Sequence, residues 1–210
     1  KPLLKDQLQN NQGRKVTTSN AKSFAKEIVN QKKVKKVEFE GKDGQKRIKY
    51  TLKLKLQPNH VNIRANRFKQ DVITQSKRFN IDPAVAFAIM QTESSFNPKA
   101  RSHIPAYGLM QLVPKSGARD AYNYVYKKDK LLRGRYLYKP ANNIELGCAY
   151  ISKIRHSYFK SIQNEKSATY CTISAYNTGI GNVAKSFTGK TKLKPAIQVI
   201  NSKSPRGVYD

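Results

Sequence analysis

The spacing of apolar positions changes period along the chain and divides it into regions. Residues 1–16 are polar and rich in Gln, Asn and Lys, with too little apolar side chain to fold alone, so they are expected to be loose or pinned to the remainder. From Ser19, the spacing of Phe24 and Ile28, with Ala25 and Val29 beside them, predicts a short amphipathic helix with Ser19 as its N-cap. The period then becomes two. Val37 and Phe39 alternate with Glu38 and Glu40, Gly41 to Gly44 turn, and Ile48, Tyr50, Leu52, Leu54 and Leu56 alternate with Lys49, Thr51, Lys53 and Lys55. This predicts a hairpin with one apolar face, which needs a cover because a lone hairpin is marginal in water.

Pro58-Asn59-His60 punctuates the chain, and beyond it the period is helical to the end. Phe68, Val72, Gln75 and Phe79 mark one helix; Asp82-Pro83 is an N-cap followed by proline at the first helical position and opens a second, running to Ser94. A loop rich in Ser, His, Pro and Gly leads to a third helix over 115–126. Ile144, Cys148, Ile151, Arg155 and Tyr158 define a fourth, Ala168 to Tyr176 a fifth, and Val183 to Phe187 begins another. The expected organisation is a partial α+β region over 1–60, helix plus β-hairpin, and a mainly α domain over 61–210.

Composition changes this picture through charge. The chain of 210 residues carries 41 Lys+Arg against 13 Asp+Glu, a net +28, spread as +11 over 1–60 and +17 over 61–210, with no separate basic tail. Such a field attracts any polyanion and does not choose among nucleic acid, anionic lipid and acidic wall polymer. No RNA-binding aromatic signature, zinc finger or heptad-linked basic helix accompanies it, so no specific nucleic-acid partner is expected. The longest apolar run, Ala84 to Met90, is far short of a membrane span of about 20 residues, and no secretory signal pattern appears at the start. Cys148 and Cys171 lack zinc-site spacing, and His occurs only three times, so neither metal nor cofactor is expected. The two cysteines fall on consecutive helices, and both buried free thiols and a disulfide are open to them.

The candidate chemistry centres on Glu93. It lies four residues beyond Ile89 and eight beyond Val85, in line with the buried stripe of the second helix and near its C-terminus. Burial and the negative end of the helix dipole both disfavour its anion, which raises its pKa toward the range of a general acid for glycosidic cleavage. Ordinary glycosidases add a second carboxylate within roughly 5–9.5 Å. Asp82 is eleven residues earlier, about 16 Å along the helix, and is accounted for as the N-cap; the next acid is Asp120. One carboxylate is available, so the substrate or a water has to do the work of the second.

The run Gln91-Thr92-Glu93-Ser94-Ser95-Phe96-Asn97-Pro98, followed by Ser102, by Gly108-Leu109-Met110-Gln111 with Pro114, and by Ala175-Tyr176-Asn177 with Gly179 and Gly181, resembles the family 1 lytic transglycosylases of bacterial cell walls. The resemblance covers about residues 65–209. It implies a goose-lysozyme-like helical fold and cleavage of peptidoglycan glycan strands between N-acetylmuramic acid and N-acetylglucosamine. Glu93 takes the family's catalytic position, first as acid and then as base, so that a 1,6-anhydro ring closes. The same resemblance marks Ser102, Gly108, Met110, Gln111, Tyr150, Tyr176 and Asn177 as glycan-contacting or orienting residues. Gly108 would allow close approach of backbone to sugar, Gln111 would bond an acetamide or hydroxyl, and Ser102 would bond the acetamido group or simply close a turn. Tyr176 and Asn177 would orient Glu93 and the glycan. Tyr176 and Tyr150 also read as core residues.

Val113 stands where several members carry methionine, and the family's chain continues past the position of Asp210 into a helix whose tyrosine helps close the site. The implied setting is the periplasm, at the outer membrane, through a lipid anchor whose cysteine is absent from this sequence. Two rivals remain at this point: a muramidase that uses water, and a non-catalytic binder of glycan or polyanion.

Overall fold

A computed structural model describes residues 4–10, 12–31 and 34–210. By internal contacts the chain separates into two compact units, Lys1–Arg64 and Ala65–Asp210. The fold is mainly α, with one two-stranded antiparallel sheet in the first unit.

The first unit holds α1 (Ala21–Asn30), β1 (Val34–Glu40) and β2 (Lys46–Leu52), and α2 (His60–Asn66) runs across the boundary. The N-terminal arm is pinned rather than loose. Leu8 bridges Leu56, the Gln57 amide donates to the Gln7 carbonyl at 2.7 Å, and Gln7 and Val16 are buried. Ser19 is not the N-cap of α1. Asn20 occupies that position, and its side chain is turned back, accepting from the Thr17 amide at 2.7 Å and donating to the Lys15 carbonyl at 3.0 Å.

The hairpin corrects the expectation of a single apolar face. Val37 pairs with Lys49, Phe39 with Arg47, Lys36 with Tyr50 and Glu38 with Ile48. Directly paired residues share a face, so Val37 and Phe39 project on one side and Ile48, Tyr50 and Leu52 on the other. All five are more than 40% exposed. The cause is the connection over 41–45, which pairs odd positions with odd; a connection one residue longer or shorter would have brought the two apolar sets together.

The second unit contains α3 (Lys69–Arg78), α4 (Pro83–Ser94), α5 (Gly117–Tyr126), α6 (Gly134–Leu137), α7 (Pro140–Lys153), α8 (Glu165–Thr178), α9 (Ile180–Thr188), α10 (Leu193–Ser202) and α11 (Pro205–Tyr209). α7 is its axis: Ile144, Leu146, Gly147, Cys148, Ala149 and Ile151 are all buried, and it packs against α3, α4, α5, α6 and α8. A helix apolar on every side is one surrounded by others. Two clusters flank it, one around Leu112, Ala121, Leu137 and Leu146, the other around Ile154, Phe159, Cys171 and Ile200.

α4 matches its predicted bounds, with Asp82 Oδ1 accepting from the Ala84 amide at 2.8 Å. α5 begins two residues later than predicted, and α8 begins earlier, at Glu165, because Asn164 caps it by accepting from Lys166 and Ser167. The fourth predicted helix is not continuous. α7 gives way to a π-helical turn over Ile154–Tyr158, in which the Phe159 amide donates to the Ile154 carbonyl at 2.9 Å and both residues are fully buried. Cys148 and Cys171 are buried free thiols. Among the described residues no helix is long and apolar enough to cross a membrane.

Candidate active site

Glu93 sits in the last turn of α4, and the way that helix stops shapes its surroundings. The Ser95 amide donates to the Gln91 carbonyl at 3.0 Å and the Phe96 amide reaches back to Met90 at 3.2 Å. This is the Schellman closure, but made without glycine: Ser95 (φ 48°) and Phe96 (φ 61°) are both left-handed. Two consecutive non-glycine residues there cost strain, which persists because Phe96 is buried in the core. Ser94 then ties the helix end to a distant loop, its Oγ lying 2.7 Å from the Leu109 carbonyl and 3.1 Å from that of Met90.

That loop is a tight turn over 107–112, closed by reciprocal Tyr107 and Leu112 backbone bonds of 3.1 and 3.2 Å. Asn143, completely buried near the start of α7, holds it. Its Oδ1 accepts from the Met110 amide at 2.8 Å, and its Nδ2 donates to the carbonyls of Tyr107 and Leu137 at 2.8 and 2.9 Å. Every polar atom of the Asn143 side chain is therefore engaged in positioning this turn. From the opposite side, the Tyr176 hydroxyl of α8 donates to the Met110 carbonyl at 2.7 Å, and the Tyr176 ring lies 5.4 Å from that of Tyr150 on α7.

Burial pushes the pKa of Glu93 above its ordinary value. Burial also raises the Tyr176 hydroxyl well above the usual range, and the neighbouring Glu93 carboxylate adds to the rise, which places the two groups in each other's field. The Tyr150 hydroxyl is raised by burial and then by Asp120. Five other acids of this unit are occupied. Asp82 caps α4, Glu145 takes Arg78 at 2.7 Å and Tyr126 at 2.8 Å, Asp120 pairs with Lys153 at 3.2 Å, and Asp129 and Glu165 pair with Arg119 and Arg155. Among the described residues Glu93 has no cation within ion-pair distance, despite the +28 charge. A partly buried carboxyl without a counter-ion is suited to carry a proton.

Around Glu93 the turn 107–112 and Tyr176 converge, with Tyr150 against the Tyr176 ring, while Met110, Gly108 and Ser102 are each held by contacts within the protein. The Met110 side chain is fully buried, in the space left where Gly147 has no Cβ, so its thioether is not presented to the site, and its amide and carbonyl are taken by Asn143 and Tyr176. Gly108 (φ 80°) is required by its neighbours: a Cβ there would overlap Asn143 Nδ2 and lie 2.5 Å from the Leu137 carbonyl oxygen. Its glycine is thus explained by packing of the turn, without appeal to a sugar. The Ser102 hydroxyl is engaged in its own loop, bonding the Ile104 carbonyl and accepting from the Ala106 amide at 3.1 Å. Gln111 (φ 45°) is half-buried and donates from Nε2 to the Gly108 carbonyl at 2.9 Å; among the described residues no donor reaches its amide oxygen. Asn177 is exposed beside Tyr176, and Val113 accepts from Ser116 and Ala118 at the start of α5. Asn143 and Ser94 were missed in the sequence. The signal for Asn143 was a polar residue one turn before Leu146 and Gly147, on a face otherwise apolar.

The model of the transglycosylase SLT domain matches residues 71–199, which include α4, the turn 107–112 and α8. The chain belongs to the transglycosylase SLT domain family. Proteins named membrane-bound lytic murein transglycosylase C are similar to it. That of Actinobacillus succinogenes is 37% identical over 210 residues, covering 100% of this chain and 56% of its own length. That of Klebsiella pneumoniae is 41% identical over 163 residues, covering 78% of this chain and 44% of its own. The chain spans about half the length of the curated relatives it matches. Among solved structures, an inactive mutant of lytic transglycosylase Slt from Pseudomonas aeruginosa is 26% identical, with a TM-score of 0.48 over 67% of this SLT-family chain and 22% of its own.

Proposed function

We propose that this protein is a lytic transglycosylase acting on murein, that residues 61–210 form its catalytic domain, and that Glu93 alone serves as acid and then as base. The observation that carries this reading is the state of Glu93: a carboxyl raised by burial, with no ion-pair partner among the described residues, in an SLT-family chain.

The protonated Glu93 gives its proton to the glycosidic oxygen as the bond from that oxygen to C1 of N-acetylmuramic acid breaks, and the N-acetylglucosamine side leaves as an alcohol. Positive charge develops at C1, where the substrate's own acetamido group supplies the stabilisation that a second carboxylate gives in ordinary glycosidases. Glu93, now a carboxylate, takes the proton from the muramyl 6-hydroxyl as that oxygen closes on C1. The 1,6-anhydro ring forms, Glu93 regains its starting state, and no water enters. Tyr176 acts as a positioning residue, since its hydroxyl is committed to Met110. The free amide oxygen of Gln111 accepts from an N–H or O–H of the sugar, and Tyr150 and Asn177 complete the wall. The relatives' names point to a membrane-associated setting, and we place this protein in the periplasm at the outer membrane.

Mass spectrometry of products from purified peptidoglycan tests the reaction. Anhydro ends lighter by one water, about 18 Da, are expected; reducing ends would replace transglycosylation by hydrolysis. Glu93→Gln keeps the shape and removes the transferable proton, and is expected to lower turnover by roughly 10²–10⁴-fold with folding intact. Near-normal turnover would remove Glu93 from the mechanism.

A further inference from the structure

The loop that leads into the turn 107–112 carries two cations held in place by aromatic rings. Arg101 bridges Tyr107 across the backbone, and Tyr107 in turn bridges Leu112, so that two successive bridges join the loop to the turn bearing Gln111. The Arg101 guanidinium lies over the Tyr107 ring at 5.6 Å, and Lys99 Nζ lies over the Tyr138 ring at 5.2 Å. The two rings meet edge to face at 5.4 Å. Tyr107 is fixed twice more, since Gly134 packs flat against its ring and Asn143 holds its carbonyl. Lys99 is anchored by its amide, which donates to Asn97 Oδ1 at 3.0 Å.

Both cations are exposed, and among the described residues neither has an acid within ion-pair distance, whereas Arg78, Arg119, Lys153 and Arg155 all do. Aromatic faces restrict where such side chains sit, so less freedom is lost when they take an anion. Arg101 lies on the bridges that reach the turn of the candidate site, and Lys99 stands two residues before it, which distinguishes the pair from the diffuse basic surface of the rest of the chain.

We infer that Lys99 and Arg101 form a receptor for carboxylates of the peptides attached to murein strands, so that the site prefers peptide-bearing over peptide-free glycan. This rests on the reading of the site as a murein-cleaving one. The glycan lies along Glu93 and Gln111, and an acidic peptide leaving the strand meets the two cations beside the turn. Exposed pairs of this kind are individually weak, which sets the expected preference at roughly two- to tenfold, and salt reduces it.

The test compares the full 210-residue chain with Lys99→Gln/Arg101→Gln on two preparations of the same peptidoglycan, one intact and one stripped of peptides by an amidase. Two quantities are read for each: the initial rate of release of soluble fragments, and the fraction of protein that co-sediments. Wild type is expected to favour the intact preparation in both, and the double variant to lose most of that ratio. A wild-type ratio near one, or a ratio unchanged by the double substitution, overturns the receptor. Co-sedimentation needs no turnover, so selective binding that depends on Lys99 and Arg101 without any cleavage would support the receptor and reject the proposed reaction instead. Far-ultraviolet circular dichroism and the melting temperature of the double variant, expected to match wild type because both side chains are exposed, establish that the change in ratio is not a folding defect.

Discussion

The Tyr176 hydroxyl donates to the Met110 carbonyl at 2.7 Å across 66 residues of sequence, and this bond commits a tyrosine beside Glu93 to holding a turn. Tyr176→Phe keeps the ring contact with Tyr150 and leaves that carbonyl without its donor. The expected cost is about 1–2 kcal/mol of stability, and a melting temperature lowered by roughly 2–4 °C per kcal/mol for a chain of this size. Turnover is expected to fall less than in Glu93→Gln. A loss equal to that of Glu93→Gln would make the hydroxyl a participant in proton transfer.

Asn143 makes three bonds with no exposure to water. Asn143→Ala strands the Met110 amide and two carbonyls at once, and is expected to cost at least about 3 kcal/mol, among the larger effects of a single substitution. Denaturant unfolding measures it. Any variant protein that remains folded is expected to lose turnover as well, since the turn carrying Gln111 loses its support from α7.

Burial holds the Glu93 pKa above 4.5, so between that value and the raised one the native protein keeps a proton that the unfolded chain releases. The stability this group contributes is complete below about 4.5 and is lost as pH rises through the native value. Glu93→Gln has no such loss. Its melting temperature relative to wild type is expected to climb with pH across that window and then level off, modestly, because the carboxyl is only partly shielded from water. A difference that fell with rising pH would mean that Glu93 is stabilised as an anion. In the same way, kcat/KM of the wild type is expected to decline on the alkaline side as the free protein loses its acid.

Burial pushes the Cys148 thiol up to about 12 and the Cys171 thiol up to about 11, so both are poor nucleophiles at neutral pH. Denatured, non-reduced protein is expected to titrate two thiols, and reductant is expected to leave the melting temperature unchanged. A lowered melting temperature in reductant would require a bond between them.

Gly147 leaves the space that the Met110 sulfur fills. Gly147→Ala is expected to destabilise by about 1–3 kcal/mol through overpacking, and pairing it with Met110→Ala is expected to cost less than the two single changes added together. Additive costs in the double-mutant cycle would show that the two positions do not press on one another.

Much of the helical unit was legible because its cues are local. Asp82-Pro83 fixed the start of α4, and the stripe through Val85, Ile89 and Glu93 set one carboxyl at the edge of the core. The order of the Glu93, Gly108 to Gln111 and Tyr176 motifs indicated the family. What escaped depends on contacts made across the chain. The face of each hairpin residue is decided by the register over 41–45, which alternation within either strand does not reveal. The burial of Met110 depends on a missing Cβ at Gly147, 37 positions away. The pressure of a buried asparagine on Gly108 was hidden likewise, because a glycine in a turn has the same appearance in sequence whichever neighbour presses on it. α10 and α11 were not assigned, and α2 was taken for punctuation: Pro58 and Asn59 interrupt the chain, yet the same pair serves equally well to begin a helix.

The π-helical turn over Ile154–Tyr158 gives this region a spare residue. Such a turn accommodates one residue more than an α-helix of the same rise, so deleting a single residue from it lets α7 continue unbroken, with the Phe159 amide taking the Ile154 carbonyl from four residues away instead of five. Phe159 keeps nearly its present direction and stays enclosed. A deletion inside the regular part of α7 has no such slack: every position beyond is rotated by about 100° about the helix axis relative to those before, and the buried set Cys148, Ala149 and Ile151 turns away from its partners. A loss of one residue between 127 and 131, in an exposed loop, disturbs far less. Length is thus a constrained property of this chain through most of its longest continuous helical stretch, and a tolerant one at the turn that ends it and in the loop that precedes it.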